Sequence, residues 1–265
     1  WSGAGNSSTT SGHGQRQSRF PQVCMQVSVP AQPVVSVSVI IPVLNDRAAL
    51  GRLLDDLAAH APTAWEVVVV DGGSSDGSSV EAERRGARVV VAEAGRGLQL
   101  DVGYAASNGR LLWFVHADAT IDAFTVRELQ RVYDEHVAVG TSAWGRFDVQ
   151  LGGPTARFRH RLVGGLMNWR SRWTGMCTGD QGIFASRELL EAVGGIPRQT
   201  LMEDIELSKR LKARQRPLSL RARIGTSARR WETNGFLRTV LLMWGLRLRY
   251  FFGADPDQLA RRYYS

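Results

Sequence analysis

From residue 34 to about residue 135 the chain switches repeatedly between two hydrophobic patterns. Residues 34–43 are β-branched and almost continuously apolar up to Pro42, as expected of a strand buried on both faces. Residues 47–59 then space Leu50, Leu53, Leu54 and Leu57 at helical intervals. A second short apolar run, 66–70, ends at Asp71, and 78–85 and 87–92 read as a helix and a third strand. Residues 97–108 predict a helix with Leu98, Val102 and Ala105 turned inward, and 110–115 a fourth strand that ends at His116. Asp122 has the chemistry of an N-cap for a helix ending near Glu135. Further on, Glu203 and Asp204 open a helix whose apolar positions are Ile205, Leu207 and Leu211, and residues 235–252 form the most apolar helix-compatible stretch.

Apolar strands alternating with helices define an α/β chain with a Rossmann-like, mostly parallel sheet covered by helices on both faces. Ligands of such sheets sit beyond the carboxyl ends of the strands, so the segments after Pro42, Val70 and Val115 hold the candidate chemistry. Residues 1–33, rich in Ser, Gly, Gln and Thr without an apolar period, are expected to be a disordered tail. Residues 34–265 are expected to form one domain, with a first half at about 34–120 and a second half, ending in a basic amphipathic helix, at about 121–265.

Composition narrows this. At 265 residues, 43% hydrophobic and 22% charged, the chain is globular in character, and no run reaches the ~20 apolar residues of a membrane span. The net charge of +8 is carried by residues 201–265, with 14 basic and 6 acidic residues. Such asymmetry points to an anionic partner: a phosphorylated ligand, an acidic membrane face or nucleic acid. Cys24 and Cys177 support neither a disulfide framework nor a zinc site, and a reducing cytoplasm is the simplest home.

The strand ends carry specific side chains. Asp71-Gly72-Gly73-Ser74-Ser75-Asp76-Gly77 combines a carboxylate able to accept from a base or ribose with glycines that permit close backbone approach; it also reads as an ordinary turn in which Asp76 caps a helix. In His116-Ala117-Asp118, Asp118 is placed to hold a hard divalent cation or to cap a helix. Arg96, between Gly95 and Gly97 at a helix start, suits a diphosphate. Glu203 and Asp204 suit either a helix dipole or a general base, and Arg229-Arg230-Trp231 suits phosphate or a stacked ring. Residues 144–178, with Trp144, Trp169 and Trp173, are where acceptor contacts are expected.

Taken in order, the segments 38–46, 68–78, 114–118 and 179–184, then Glu203-Asp204 and Arg229-Arg230-Trp231, resemble the family 2 glycosyltransferases of the GT-A fold. Residues 179–184 and 235–263 resemble the bacterial subgroup labelled arsenosugar-biosynthesis-type glycosyltransferase. The resemblance implies a nucleotide-sugar donor and an inverting, cation-dependent transfer to an acceptor hydroxyl. Asp71 would hold the base, Asp46 would lie near the nucleoside, and Arg96 would approach the diphosphate. Pro42, Asn45, Gly72, Asp76 and Ala117 belong to the same donor-binding segments. Asp118 matches the last acid of the D-x-D metal motif, Asp204 the catalytic base, and Arg229, Arg230 and Trp231 a motif that assists the leaving group or acceptor. His116 stands where the first D-x-D acid is usual, which reduces the charge offered to Mg²⁺ and favours Mn²⁺ slightly. The rivals are a nucleotidyltransferase on a related fold and a non-catalytic basic module for membranes or nucleic acid. Under the transferase reading no nucleic acid partner is expected. The acceptor could be lipid-linked, with weak peripheral contact to an anionic membrane at its cytoplasmic face.

Overall fold

In a computed structural model of the chain, residues 35–152, 158–227 and 236–264 are described. The expected tail at 1–33 and the Arg229-Arg230-Trp231 segment lie outside the described residues.

The first half follows the predicted alternation: β1 (Val37–Val43), α1 (Arg47–His60), β2 (Glu66–Asp71), α2 (Ser78–Arg84), β3 (Arg88–Val91), α3 (Arg96–Ala106) and β4 (Leu111–Phe114). Beyond it come β5 (Ala119–Thr120), α4 (Ala123–Val132), β6 (Trp144–Leu151), α5 (Phe158–Thr174), β7 (Phe184–Ser186), α6 (Arg187–Ala192), α7 (Glu203–Lys212), β8 (Leu218–Thr226), α8 (Phe236–Phe251) and α9 (Pro256–Tyr264). Asp122 is the N-cap of α4, accepting from the Thr125 amide at 2.8 Å, and a π-helical turn, Tyr133–Val137, extends that helix.

The strands form one eight-stranded sheet in the order β3-β2-β1-β4-β7-β6-β8-β5. The four strands on the β3 side are parallel, so their carboxyl ends share one edge, with Val43 opposite Asp71. Past β4 the sheet is mixed: β7 is antiparallel to β4 and β6, β8 is parallel to β6, and β5 is antiparallel to β8. Parallel pairing therefore holds in four of the seven described ladders.

Alternation along each strand sorts side chains between two cores. Val37, Val39, Ile41 and Val43 face α1 and its leucines, whereas Ile40, Val68, Val70, Leu112 and Phe114 face the opposite layer with Leu100, Leu190 and Leu207. Helix α3 lies so close to β1 that a Cβ on Gly103 would meet Ile40 at 2.4 Å. Its buried side is Gly97, Gln99, Leu100 and Gly103, not the expected Leu98-Val102-Ala105 face; Leu98 and Val102 are half-buried and Ala105 is exposed. Close backbone packing selected glycines, and these carry no hydrophobic signal. Trp144, expected among acceptor contacts, is instead fully buried in β6, its indole N–H donating to the Gln215 carbonyl at 2.8 Å.

Helix α5 docks on β6 through polar side chains. Strand β7 pairs only with Trp144 and Gly145 of β6. Further along, the Asn168 carboxamide accepts from the Val149 amide at 2.9 Å and donates to the Val149 carbonyl at 3.1 Å. A side chain thus supplies the bonds that a strand would otherwise make. Arg172 adds a 2.7 Å bond to Asp148.

Candidate active site

Three loops at the carboxyl edge of the parallel strands build the site. After β1, Asn45 adopts φ 51°, an uncommon left-handed conformation for a residue with a side chain. The conformation is held from outside: the Asn45 amide donates to Ser74 Oγ at 2.9 Å, and Asn45 Oδ1 accepts from the Ser75 amide at 2.8 Å. Asp76 crosses between the same loops, accepting from the Arg47 amide at 2.8 Å and from the Ser78 amide and hydroxyl. It thus serves the first turns of both α1 and α2.

Asp71 is nearly inaccessible and organises its own turn. Its Oδ1 accepts from the Gly73 and Ser74 amides, at 3.1 and 2.8 Å, and its Oδ2 from the Ser79 hydroxyl. Burial pushes this carboxyl up, but the bonds from Ser79, Ser74 and Gly73 outweigh it and hold the group below the usual carboxylate range. Gln99, from the inner face of α3, donates to the Val43 and Val70 carbonyls at 2.9 and 2.8 Å, where β1 and β2 part. Sequence reasoning did not single it out; its only mark was a polar residue between two leucines, Leu98 and Leu100.

After β4, His116 and Asp118 meet a segment 60 residues later. Gly179, Asp180 and Gln181 form a 3₁₀ turn capped reciprocally by Thr178 and Gln181. His116 Nδ1 lies 3.3 Å from Asp180 Oδ1, and the imidazole packs on Gly179, where an added Cβ would meet Nε2 at 2.5 Å. The Gly179 amide donates to Asp204 Oδ2 at 2.8 Å, and Asp204 Oδ1 accepts from the Ile205 amide. Asp204 opens α7 just after Met202, whose φ of 63° is the second left-handed non-glycine conformation. Backbone strain is thus concentrated at two of the site's loops.

Arg96 runs into the same centre, pairing with the buried Glu203 and approaching His116 Nε2 to 3.5 Å. Burial disfavours its charge, but Glu203, Asp204 and Asp180 together hold the guanidinium firmly protonated. Asp180 is likewise opposed by burial, yet its bond to His116 and the charges of His116, Arg96 and Arg247 pull it down to about 2. Asp118 behaves oppositely. Burial raises its pKa, and Asp180 and Asp46 raise it further, against the lowering effect of His116. Arg170 of α5 is drawn down to about 10 by burial and then by Arg247. Cys177, buried beside this network, is pushed up to about 12, chiefly by burial.

The structure therefore brings together Asp46, Arg96, Asp118 and Asp204, with Asp71 at the end of β2, Pro42 near the end of β1, and Asn45, Gly72, Asp76 and Ala117 in the loops beyond the strands. It adds Asp180 and Gln99, and makes Glu203 the partner of Arg96. Among the described residues, no three His, Cys, Asp or Glu side chains converge closely enough to cage a metal ion unaided. The crowding of Asp118 by two other carboxylates nevertheless suits a hard cation that shares its remaining ligands with phosphate oxygens and water.

Comparisons with known proteins agree with this architecture. The model of the family "Glycosyl transferase family 2" matches residues 38–194. An undecaprenyl-phosphate 4-deoxy-4-formamido-L-arabinose transferase of Klebsiella pneumoniae is 30% identical over 162 residues, 57% of this chain and 47% of the relative. The chain thus spans about half the length of such relatives. A mannosyltransferase from Pyrobaculum calidifontis, solved with GDP-Man and Mn²⁺, superposes with a TM-score of 0.57 at 20% identity, covering 81% of this chain and 61% of that one. TarS of S. aureus, solved with UDP-GlcNAc, gives a TM-score of 0.54 at 22% identity, covering 72% of this chain and 58% of that one. At these identities the solved structures establish the glycosyltransferase fold. The match of the family model to more than half of the chain establishes the family, and the comparisons do not bear out the arsenosugar-biosynthesis-type subgroup.

Proposed function

Because the chain belongs to glycosyl transferase family 2, we propose that it transfers a sugar from a nucleoside diphosphate donor to an acceptor hydroxyl, with inversion at the anomeric carbon. The observation that carries this reading is the convergence of Asp118, Asp180, Arg96 and Asp204 just beyond the parallel strand ends, with the ordered Asp71 turn beside them. A nucleoside is received by the loops after β1 and β2, through Asp46, Asp71 and Gly72, beside the open backbone at Gly73. Arg96 offers its charge to the diphosphate, and Arg229, Arg230 and Trp231 assist the leaving group or the acceptor. This divides the chain into a nucleotide-binding half at about 34–120 and an acceptor half at about 121–265.

Asp118 and Asp180 would be the carboxylates that hold a divalent cation, Mg²⁺ or Mn²⁺. Asp180 thereby returns the negative charge that His116 removes from the D-x-D position. When bound, the cation neutralises the charge growing on the departing diphosphate. Asp204 accepts the proton of the attacking hydroxyl. The Gly179 amide aims its carboxylate and ties it to the turn that carries Asp180. The relatives named for undecaprenyl-phosphate support a lipid-linked acceptor; on this reading the enzyme works at the cytoplasmic face of a membrane. Among the described residues, no helix is long and apolar enough to cross a membrane.

The test is Asp204→Asn. It should lower kcat by about 100-fold or more while leaving the calorimetric affinity for donor with Mn²⁺ near wild type. Near-wild-type turnover, or release of pyrophosphate in place of a nucleoside diphosphate, would overturn the reading.

A further inference from the structure

Helix α5 is inside out for a helix on a water-soluble domain. Phe158, Leu162, Leu166, Trp169 and Trp173 follow one another at intervals of four, four, three and four, which aligns them on a single face. That face points outward: Phe158 is 82% exposed, Trp169 63% and Trp173 79%. The side turned to the protein is His160, Gly164, Asn168 and Ser171, of which Asn168 is hydrogen-bonded to β6 and both Asn168 and Ser171 to Gln181. Helix α8 repeats the arrangement. Leu246 is buried against Leu201, Met202 and Leu259, while Trp244, Leu248 and Phe251 line up outward at 67%, 60% and 83% exposure, with Phe252 following at 77%.

Both helices abut the site. Gln181, next to Asp180, donates to Ser171 of α5 at 2.9 Å, and Met202, two residues before Asp204, packs on α8. Over their combined length α5 and α8 contain seven Arg and no acidic residue. Two of these cations are incompletely paired. Arg170 Nε and Nη2 and Arg247 Nε are buried atoms without a hydrogen-bond acceptor, and both charges act on the site carboxylates. Buried guanidinium N–H groups without acceptors are costly to leave so, and an anionic oxygen would satisfy them.

We propose that the outward faces of α5 and α8 together seat the protein on an anionic lipid surface, with headgroup phosphates taken up by Arg170 and Arg247 at the mouth of the site. Indoles and phenyl rings on one side of a helix, with Arg and no acid, are the composition of an interfacial helix, and Arg stems reach sideways to headgroups while the rings enter the acyl boundary. Uncharged lipid would satisfy the rings but not the guanidinium groups, and a water-borne acidic protein would do the reverse. The purpose of the surface, delivery of a lipid-borne acceptor, rests on the transferase reading; its existence does not.

The experiment is co-sedimentation of the full chain, without donor, with phosphatidylcholine vesicles and with vesicles containing phosphatidylglycerol. Binding should require the anionic lipid and weaken as salt is raised. Leu162→Gln with Leu166→Gln, and separately Trp244→Gln with Phe251→Gln, should each weaken it about tenfold or more. Arg170→Gln with Arg247→Gln should reduce the preference for anionic over neutral lipid by a similar factor. Circular dichroism and cation-dependent donor binding report whether the Leu162/Leu166 and Trp244/Phe251 variants are folded. Three results overturn the proposal. The first is no binding to anionic vesicles at low salt. The second is binding unaffected by the helix substitutions, which would assign it to general basic charge. The third is a dimer in solution that those substitutions dissociate, which would make a second copy the occupant. A protein that binds vesicles as described but never transfers sugar would instead refute the proposed activity and leave the surface standing.

Discussion

Asp118 shows how one carboxylate serves function at the expense of stability. Its pKa lies above the ordinary carboxyl value because it is half-buried and partly desolvated and faces Asp180 and Asp46. A carboxyl whose folded pKa is raised destabilises the folded state at neutral pH, and this penalty is relieved as pH falls through the raised value. Asp118→Asn should therefore keep or raise Tm while abolishing cation-dependent donor binding, as read by scanning and titration calorimetry. By the same sign, cation-dependent binding in the unsubstituted protein should decline on acidification at a pH above that of an ordinary aspartate. A lower Tm for the variant, or full Mn²⁺-dependent binding, would contradict the assignment. Cys177 follows different logic: a thiol raised to about 12 and fully enclosed should resist thiol reagents until the protein unfolds.

At the scale of elements, the fold depends on side chains that replace missing backbone partners. Asn168 satisfies both polar groups of Val149 where β7 no longer runs beside β6, and its Oδ1 also accepts from Gln181 at 3.3 Å. Asn168→Ala leaves those groups without that partner and should cost about 1–3 kcal/mol in urea unfolding. Because Gln181 belongs to the turn that carries Asp180, donor affinity should weaken as well. An unchanged unfolding midpoint would mean that α5 is held otherwise. The N-cap of α4 offers a simpler case: Asp122→Ala should cost about 0.5–2 kcal/mol with no effect on donor binding.

For the whole molecule, residues 1–33 carry no apolar period in the sequence. A chain beginning at Val34 should therefore keep the melting temperature and donor affinity of the full chain, and a loss of several degrees would show that residues 1–33 contribute to the fold. The alternation of strand and helix up to β4 was legible in the sequence because each period is local: a strand buried on both faces is apolar throughout, and a helix repeats its apolar positions every three or four residues. The candidate residues at the strand ends were legible for the same reason, since the end of an apolar run marks the edge of the sheet. Three features were decided only in the tertiary structure. Asp180 meets His116 across 64 residues, Gln99 joins the ends of β1 and β2, and α5 turns its polar side inward. No local pattern encodes them, because they depend on what the neighbouring element offers: the imidazole of His116, the Val43 and Val70 carbonyls, and the edge of β6 that no strand covers. Apolar periodicity marks a face of α5, but the unpaired backbone of β6 decides that this face points outward.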